Sequence, residues 1–449
     1  MTTAALAVLL AVWTAAVWFL NRPGHLTIDS LVQIAEGRSG VFESYNPLFI
    51  SVVFGRLTAL TGDTGPLVFI AAAAFALAAW LLLSRIARPR VPGLLGCAVL
   101  LFLPILLIYP GIVWKDVWFA HSALLGFALV AVRADRRGGP IGWGIEALCL
   151  ALLAFAMLSR QTGVLVSLVG VVLLAIAARP AGSPWRLSRL ALGIVARLLV
   201  LFALAQALTL AAQSGARQIT GAPFGTGVRQ VAIFDIAGML QRLPQARLER
   251  LSALGVDTAT FEQSGRRLFS AERVDTLDMP PIRGLWDVPL TQVLGQWLDL
   301  AVAHPATYLA HRAEVYAWLL GLRDQARCLP VHVGRDDGPL LTRAGVDPAQ
   351  PPQAGELYRY ATRFVGSPYF SPLAWALVSV VVLIRLGRQG RLLEPVAGLQ
   401  WAGLLYLASY APIGLSCDFR YTYFSVAAAS LGLMHWMLQP GRRTPITGS

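Results

Sequence analysis

Residues 85–137 read RIARPRVPGLLGCAVLLFLPILLIYPGIVWKDVWFAHSALLGFALVAVRADRR, and this stretch decides the fold class. Two apolar runs, 91–109 and 117–132, stand between arginine clusters: Arg85, Arg88 and Arg90 before them, Arg133, Arg136 and Arg137 after them. Each run is long enough, or nearly so, to cross about 30 Å of hydrocarbon as a helix. The joint between the runs, Tyr109-Pro110-Gly111 to Trp114-Lys115-Asp116, carries no arginine. Short arginine-rich loops stay on the cytoplasmic side of a membrane. The stretch therefore reads as a helical hairpin with both ends inside and the Trp114-Lys115-Asp116 joint outside.

The same alternation runs outward in both directions. Further apolar runs lie at 4–20, 66–83, 141–158, 164–178, 190–212, 370–384, 395–411 and 421–438. Arg179, Arg186 and Arg189, then Arg385, Arg388 and Arg391, then Arg442 and Arg443 close alternate joints. The other joints hold acids instead: Asp29, Glu36 and Glu43; Asp116; Asp418. Ten crossings with both termini in the cytoplasm satisfy every cluster, so an all-α membrane protein of about ten transmembrane helices is expected. The first run has no basic leader and no small-residue cleavage site, and reads as a retained helix. Residues 47–60 are apolar but short and carry Arg56. A crossing there would invert every later cluster, so an interfacial helix on the outer surface is expected.

Composition agrees. Of 449 residues, 56% are hydrophobic and 14% charged, and mean hydropathy is +0.62. A soluble chain is about 45–50% apolar and about 25% charged. Disorder, collagen, a coiled coil and a disulfide scaffold are excluded, and continuous runs without alternation exclude a β-barrel. The net charge of +13 sits in short loops and does not indicate nucleic acid as a partner. Its basic residues are 36 arginines and one lysine, Lys115.

Domain organisation follows from the runs. Residues 1–212 form an N-terminal module of seven spans, with the interfacial helix at 47–60. Residues 213–365 form one large, mainly helical extracytoplasmic region. Residues 366–440 form a C-terminal module of three spans, and 441–449 a cytoplasmic tail. The outer region holds 15 of the 24 acids and 16 arginines, so it is nearly neutral. Trp286, Leu290, Val293, Trp297, Leu300, Ala301 and Tyr308 recur there at helical spacing. They predict an amphipathic helix packed on the membrane modules; the alternative is an aromatic groove for an acceptor or lipid tail. Residues 345–353 are a proline-containing loop. Cys328 and Cys417 both fall outside, where a disulfide is chemically allowed but not fixed by spacing. Cys97 and Cys149 fill the cores of spans.

The charged residues that remain collect on the outer side. The first outer segment contains His25, Asp29, Ser30, Glu36 and Arg38, then Tyr45-Asn46-Pro47-Leu48. The next contains Lys115 and Asp116, the third Ser159-Arg160-Gln161-Thr162-Gly163, and the last Ser416-Cys417-Asp418-Phe419-Arg420-Tyr421. Each has a plain structural reading beside the functional one. Asp29 can cap a helix, Lys115 can snorkel, Arg160 can meet lipid phosphate, and Asp418 and Arg420 can form an ordinary ion pair. Glu146, inside a span, is expected to pair locally. Ionisable groups near a membrane are costly, and a set sharing one side and one depth points to function. Lysine and arginine can hold a phosphate and stabilise its leaving charge, while an aspartate accepts a proton from an attacking hydroxyl. A lipid-linked phosphosugar fits that chemistry.

An acid soon after the first span followed by a proline-containing apolar segment (Asp29, then Tyr45-Asn46-Pro47-Leu48) resembles the GT-C superfamily. These are integral-membrane glycosyltransferases that use polyprenyl-phosphate sugars, such as the protein O-mannosyltransferases and the lipid A aminoarabinose transferase. Trp114-Lys115-Asp116, Arg160-Gln161-Thr162-Gly163 and Asp418-Phe419-Arg420-Tyr421 look like elements of bacterial members. The resemblance covers roughly residues 1–180 and 410–438. It implies a GT-C-like architecture in the bacterial inner membrane and a part in building the cell envelope. It further implies transfer with inversion to a glycan, lipid or protein acceptor. Asp29 matches the first-loop catalytic base and Asp116 the second outer acid. By the same analogy Lys115, Arg160 and Arg420 hold the donor phosphate, and Tyr45, Asn46, Gln161 and Asp418 contact substrate. The sequence departs from the family where His-Pro-Pro or Lys-Pro-Pro is common: here it reads Asn46-Pro47-Leu48. The Trp-Trp-Asp motif of oligosaccharyltransferases is absent.

Other readings compete. A transporter or flippase of a lipid-linked saccharide would place polar residues in mid-span, where this chain is almost wholly apolar. A non-catalytic envelope-assembly protein would not need the boundary charges. An O-antigen polymerase or ligase would lack the acidic first loop. No cofactor is expected, although Asp29 and Asp116 together offer two carboxylates to a divalent cation. His304, His311, Cys328 and His332 match no zinc spacing, and Asp336-Asp337 reads as a solvated turn.

Overall fold

The structure, a computed structural model, describes residues 2–44, 46–86, 90–136, 139–179, 186–220, 226–255, 257–275, 284–336 and 338–439. The fold is all-α apart from one parallel pairing of β1 (Val41–Phe42) with β2 (Gln218–Ile219). Five helices are long and apolar enough to cross a membrane among the described residues: α1 (Thr2–Asn21), α4 (Gly65–Leu83), α7 (Lys115–Asp135), α8 (Gly139–Ser159) and α10 (Leu187–Ser214). A sixth is broken. The run 91–109, read above as one span, is α5 (Val91–Phe102) and α6 (Pro104–Ile108), bent by 64°. Pro104 causes the break: it has no N–H to donate and drives Leu103 to extended geometry, φ −68° and ψ 154°.

Five further apolar helices are shorter or later in the chain. Helix α3 (Leu48–Thr61) occupies the segment expected at the interface, and α9 (Gly163–Ala177) has 15 residues. Helices α18 (Pro372–Gly387), α19 (Pro395–Ile413) and α20 (Tyr423–Leu438) complete the C-terminal part. Membrane-type core packing joins α1, α4 to α9 and α18 to α20, through Trp13, Phe75, Phe119, Phe127, Tyr406 and Tyr423. Several polar groups within it find partners. His121 bonds Ala71 carbonyl at 2.7 Å and Tyr423 hydroxyl at 2.8 Å, and Gln400 bonds Ser379 and the Ala428 carbonyl, each at 2.9 Å. Glu146 pairs with Arg133 at 3.0 Å and Arg197 at 2.7 Å, the local pairing expected of it.

Helix α2 (Ile28–Ser39) and α3 pack so closely that a side chain on Gly55 would meet the backbone of Gly37 at 2.2 Å. This contact places α2 on a small core of Leu26, Leu31, Ile34, Ile50 and Phe54.

Residues 226–319 have a core of their own, built by α11 (Thr226–Arg242), α12 (Glu249–Ser252), α13 (Thr258–Leu268), α14 (Leu290–Ala303) and α15 (Pro305–Leu319). The amphipathic pattern over 286–308 packs here, with Val293, Gln296 and Leu300 buried, rather than on the membrane modules. Pro305 ends α14. Buried Asp235 ties three of these helices together: it accepts from Trp297 Nε1 at 2.9 Å and His311 Nε2 at 2.9 Å, and meets Arg312 at 2.6 Å. Burial lowers the His311 pKa, against the pull of Asp235. Residues beyond Leu319 return to the first module. Helix α16 (Pro339–Ala344) packs on α2, and α17 (Ala354–Thr362) packs on α6. The loop expected at 345–353 lies between them.

Candidate functional site

The site is built around the start of α2. Thr27 and Ser30 form a reciprocal capping box, which fixes where the helix begins and puts Asp29 in its first turn. The positive end of the helix favours a carboxylate there. The chain leading in is held on both sides. His25 N–H donates to Gly111 at 2.9 Å, and its carbonyl accepts from Val113 at 3.0 Å. Leu26 N–H donates to Gly334 at 2.9 Å, and its carbonyl accepts from Asp336 at 2.9 Å. Asp336 Oδ2 also accepts from Ile28 N–H at 2.8 Å. Asp336 is thus a clamp on this strip of chain rather than the solvated turn expected; Asp337 lies outside the described residues.

Two neutral histidines line this strip. Gly334 N–H donates to His25 Nδ1 at 3.1 Å, so Nε2 carries the proton given to Asn21 at 2.9 Å. Burial, with His332 and Arg335 nearby, lowers the His25 pKa to about 3. His332 donates to the Leu26 carbonyl at 3.2 Å, and burial lowers its pKa as well.

Six charges from four distant segments converge here, Asp29 among them. Arg420 Nη1 donates to Asp29 Oδ2 at 2.6 Å, and its Nε meets Asp418 at 2.8 Å. Arg160 pairs with Asp116 and donates to Tyr410 hydroxyl at 3.0 Å. The Tyr421 ring lies between the two guanidinium groups, 4.7 Å from Arg160 and 5.3 Å from Arg420. Arg420 also lies 5.3 Å from the Trp114 ring, whose Nε1 donates to Thr27 at 3.0 Å. Lys115 Nζ donates to Asn46 Oδ1 at 2.8 Å and stands within electrostatic reach of Asp29, Arg420, Arg160 and Asp418.

Exposure separates the roles. Asp116 is 2% exposed and Asp418 11%, whereas the Asp29 side chain is 39% exposed. Burial alone would raise the Asp29 pKa, but Arg420 and then Lys115 outweigh it and hold the carboxyl below its usual value. At Asp418 burial wins over Arg420, and the pKa is raised. Among the described residues Lys115 is the one cation of the six charges without a carboxylate within 4 Å. Its only described polar partner is a neutral amide, which leaves it the cation most open to an anion.

The residues expected from sequence are therefore mostly together: Asp29, Asn46, Lys115, Asp116, Arg160, Asp418 and Arg420. Asp116, expected beside Asp29 as a second acid, is buried against Arg160 and orients that guanidinium. Gln161 is exposed on the turn after Arg160. Tyr45 lies outside the described residues. Gln33 was not anticipated. It sits one turn after Asp29 on α2, is 1% exposed, and donates to the same Asn46 oxygen as Lys115 at 2.9 Å. The i, i+4 spacing from Asp29 carries that signal. Glu36, one of the first-loop acids, positions Asn46 by accepting from Glu43 N–H, Ser44 N–H and Ser44 hydroxyl at 2.8, 2.6 and 2.9 Å.

Cys328 and Cys417 form a disulfide, Cα–Cα 5.0 Å, which joins the segment after Leu319 to the residue before Asp418. Among the described residues no three His, Cys, Asp or Glu side chains are grouped to hold a metal ion. No family model matches the chain, and no curated protein is significantly similar to it in sequence.

Proposed function

We propose that the chain is a multi-pass membrane glycosyltransferase of GT-C type, with about ten spans. It moves a sugar from a polyprenyl-phosphate donor to a glycan, lipid or protein acceptor on the outer face of the cytoplasmic membrane. The observation that carries this reading is the convergence of Asp29, Lys115, Arg160 and Arg420 at one end of the helical bundle. Helix α7 has 21 residues, about 31 Å, and separates Lys115 at this end from Asp135 at the other. Asp135 pairs with Arg85, so the arginine-rich joints gather at the far end, as cytoplasmic loops would. The Cys328–Cys417 disulfide beside Asp418 suits an oxidising, outer compartment.

The chemistry follows from exposure and charge. The donor phosphate binds at Lys115, with Arg420 and Arg160 adding positive potential where charge grows on the leaving phosphate. Asp29, ionised and open to solvent, accepts the proton of the acceptor hydroxyl. That oxygen attacks the anomeric carbon, the carbon–oxygen bond to phosphate breaks, and the polyprenyl phosphate departs with the electron pair. One displacement inverts the centre. A transporter would need unpaired polar groups along the spans, whereas His121, Glu146 and Gln400 are fully engaged.

The test is transfer by the purified chain from a panel of undecaprenyl-phosphate hexoses and pentoses to envelope glycan acceptors. Asp29→Asn is expected to slow turnover about 10²–10⁴-fold with donor KM little changed. Full-rate transfer by Asp29→Asn would remove the assigned base.

A further inference from the structure

The end of the bundle opposite Asp29 carries a second cationic feature that the proposed transfer does not use. Helix α20 starts three residues after Arg420 and ends at Leu438, whose carbonyl accepts from Arg90 N–H at 3.1 Å. Here α18 and α20 both line a cavity of about 630 Å³. Its lining is part basic, through Arg90, Arg385 and Arg388, and part apolar, through Val381, Ile384, Leu433, Trp436 and Met437. Val381 and Ile384 are 44% and 51% exposed, so this wall opens sideways from the bundle, towards hydrocarbon in a membrane.

The charge balance decides what fits. Among the described residues none of these three arginines makes an ion pair. Arg385 stacks 5.3 Å from Trp436, and its Nε is buried without a hydrogen-bond partner. The adjoining cavity, which shares Gln389 and Gln439, has the opposite character. Its arginines are already neutralised, Arg85 by Asp135 and Arg391 by Glu394. Three unneutralised guanidinium groups beside an outward apolar wall match a phosphate joined to acyl chains. Trp436 at the boundary suits the headgroup level, where indole rings concentrate.

We propose that this cavity is a binding site for an anionic membrane phospholipid, its phosphate on Arg90, Arg385 and Arg388 and one acyl chain along Val381, Ile384 and Leu433. A zwitterionic lipid has the same chains but carries its own cation and gains less from three arginines. Free phosphate gains the charge but not the wall.

The test is equilibrium binding to the full-length chain in neutral detergent, read by native mass spectrometry. The probes are dioctanoyl phosphatidylglycerol, dioctanoyl phosphatidylcholine and inorganic phosphate. Phosphatidylglycerol is expected to bind at least about tenfold more tightly than either other probe. Removal of one arginine is expected to weaken it about fivefold, and removal of all three on the order of a hundredfold. Arg388→Gln is decisive because Arg388 is exposed, so the variant folds even if the Arg90→Gln/Arg385→Gln/Arg388→Gln form does not. Arg363→Gln, an exposed arginine away from the cavity, is the control and should leave binding unchanged. Equal affinity for the two lipids, competition by phosphate at the same concentration, or no greater loss in Arg388→Gln than in Arg363→Gln would each overturn the site.

Discussion

Replacing Arg420 by glutamine removes one guanidinium from between two carboxylates, Asp29 at 2.6 Å and Asp418 at 2.8 Å. The two acids then fare differently. Asp29 is 39% exposed and can take water in exchange. Asp418 is 11% exposed and keeps its charge in a place where burial already raises its pKa. Stripping a partner from a buried charge costs about 3–5 kcal/mol. Glutamine still donates one hydrogen bond, so the lower end, about 3 kcal/mol, is expected at neutral pH. The cost depends on pH with a definite sign. A carboxyl whose folded pKa exceeds its unfolded value contributes full stability below the unfolded pKa and loses it as pH rises through the folded one. Without Arg420 the folded pKa of Asp418 climbs further. The variant should therefore be nearly as stable as the parent at about pH 4 and fall furthest behind at about pH 8. Thermal unfolding in detergent, followed by tryptophan fluorescence across that range, measures it. Arg420→Gln/Asp418→Asn should recover most of the loss, since no buried charge is left unpaired. A penalty independent of pH, or no recovery in the double variant, would refute the placement of Arg420 between these acids.

Lys115→Ala should raise donor KM about 10–100-fold with a smaller change in turnover, as loss of one charge-assisted phosphate contact implies; Lys115→Arg should restore part of it, and an unchanged KM would separate Lys115 from the donor. Glu146→Ala strands Arg133 and Arg197 in the bundle and should cost about 3–5 kcal/mol in unfolding experiments. Cys328→Ser opens a loop spanning 89 residues and should cost about 2–5 kcal/mol, with loss of the mobility difference between reduced and oxidised chain on a gel.

Local signals explain what could be read from the residues alone. Apolar runs are properties of neighbouring positions, and they placed α1, α4, α7, α8 and α10, the helices long and apolar enough to cross a membrane, closely. The site was legible as a set of types at one depth: Asp29, Lys115, Arg160, Asp418 and Arg420. Its pairing was not. That Asp116 serves Arg160, while Asp418 serves Arg420, depends on helix packing that no spacing encodes. The strip of residues 334–336 beside His25 and Leu26 was invisible for the same reason, since it joins positions about three hundred apart in the chain. The bend at Leu103 was different. Pro104 announces it, but hydropathy averaged over the run 91–109 hides a missing N–H.

Asp29 and Arg420 are 391 positions apart, and Cys417 and residues 334–336 also come late. During synthesis Asp29 leaves the ribosome 391 residues before its counter-charge is made. A nascent or truncated chain would thus carry Asp29 with neither its arginine nor its clamp. Assembly of the charge cluster therefore waits for residue 420, and a chain that stops before it cannot form the pair.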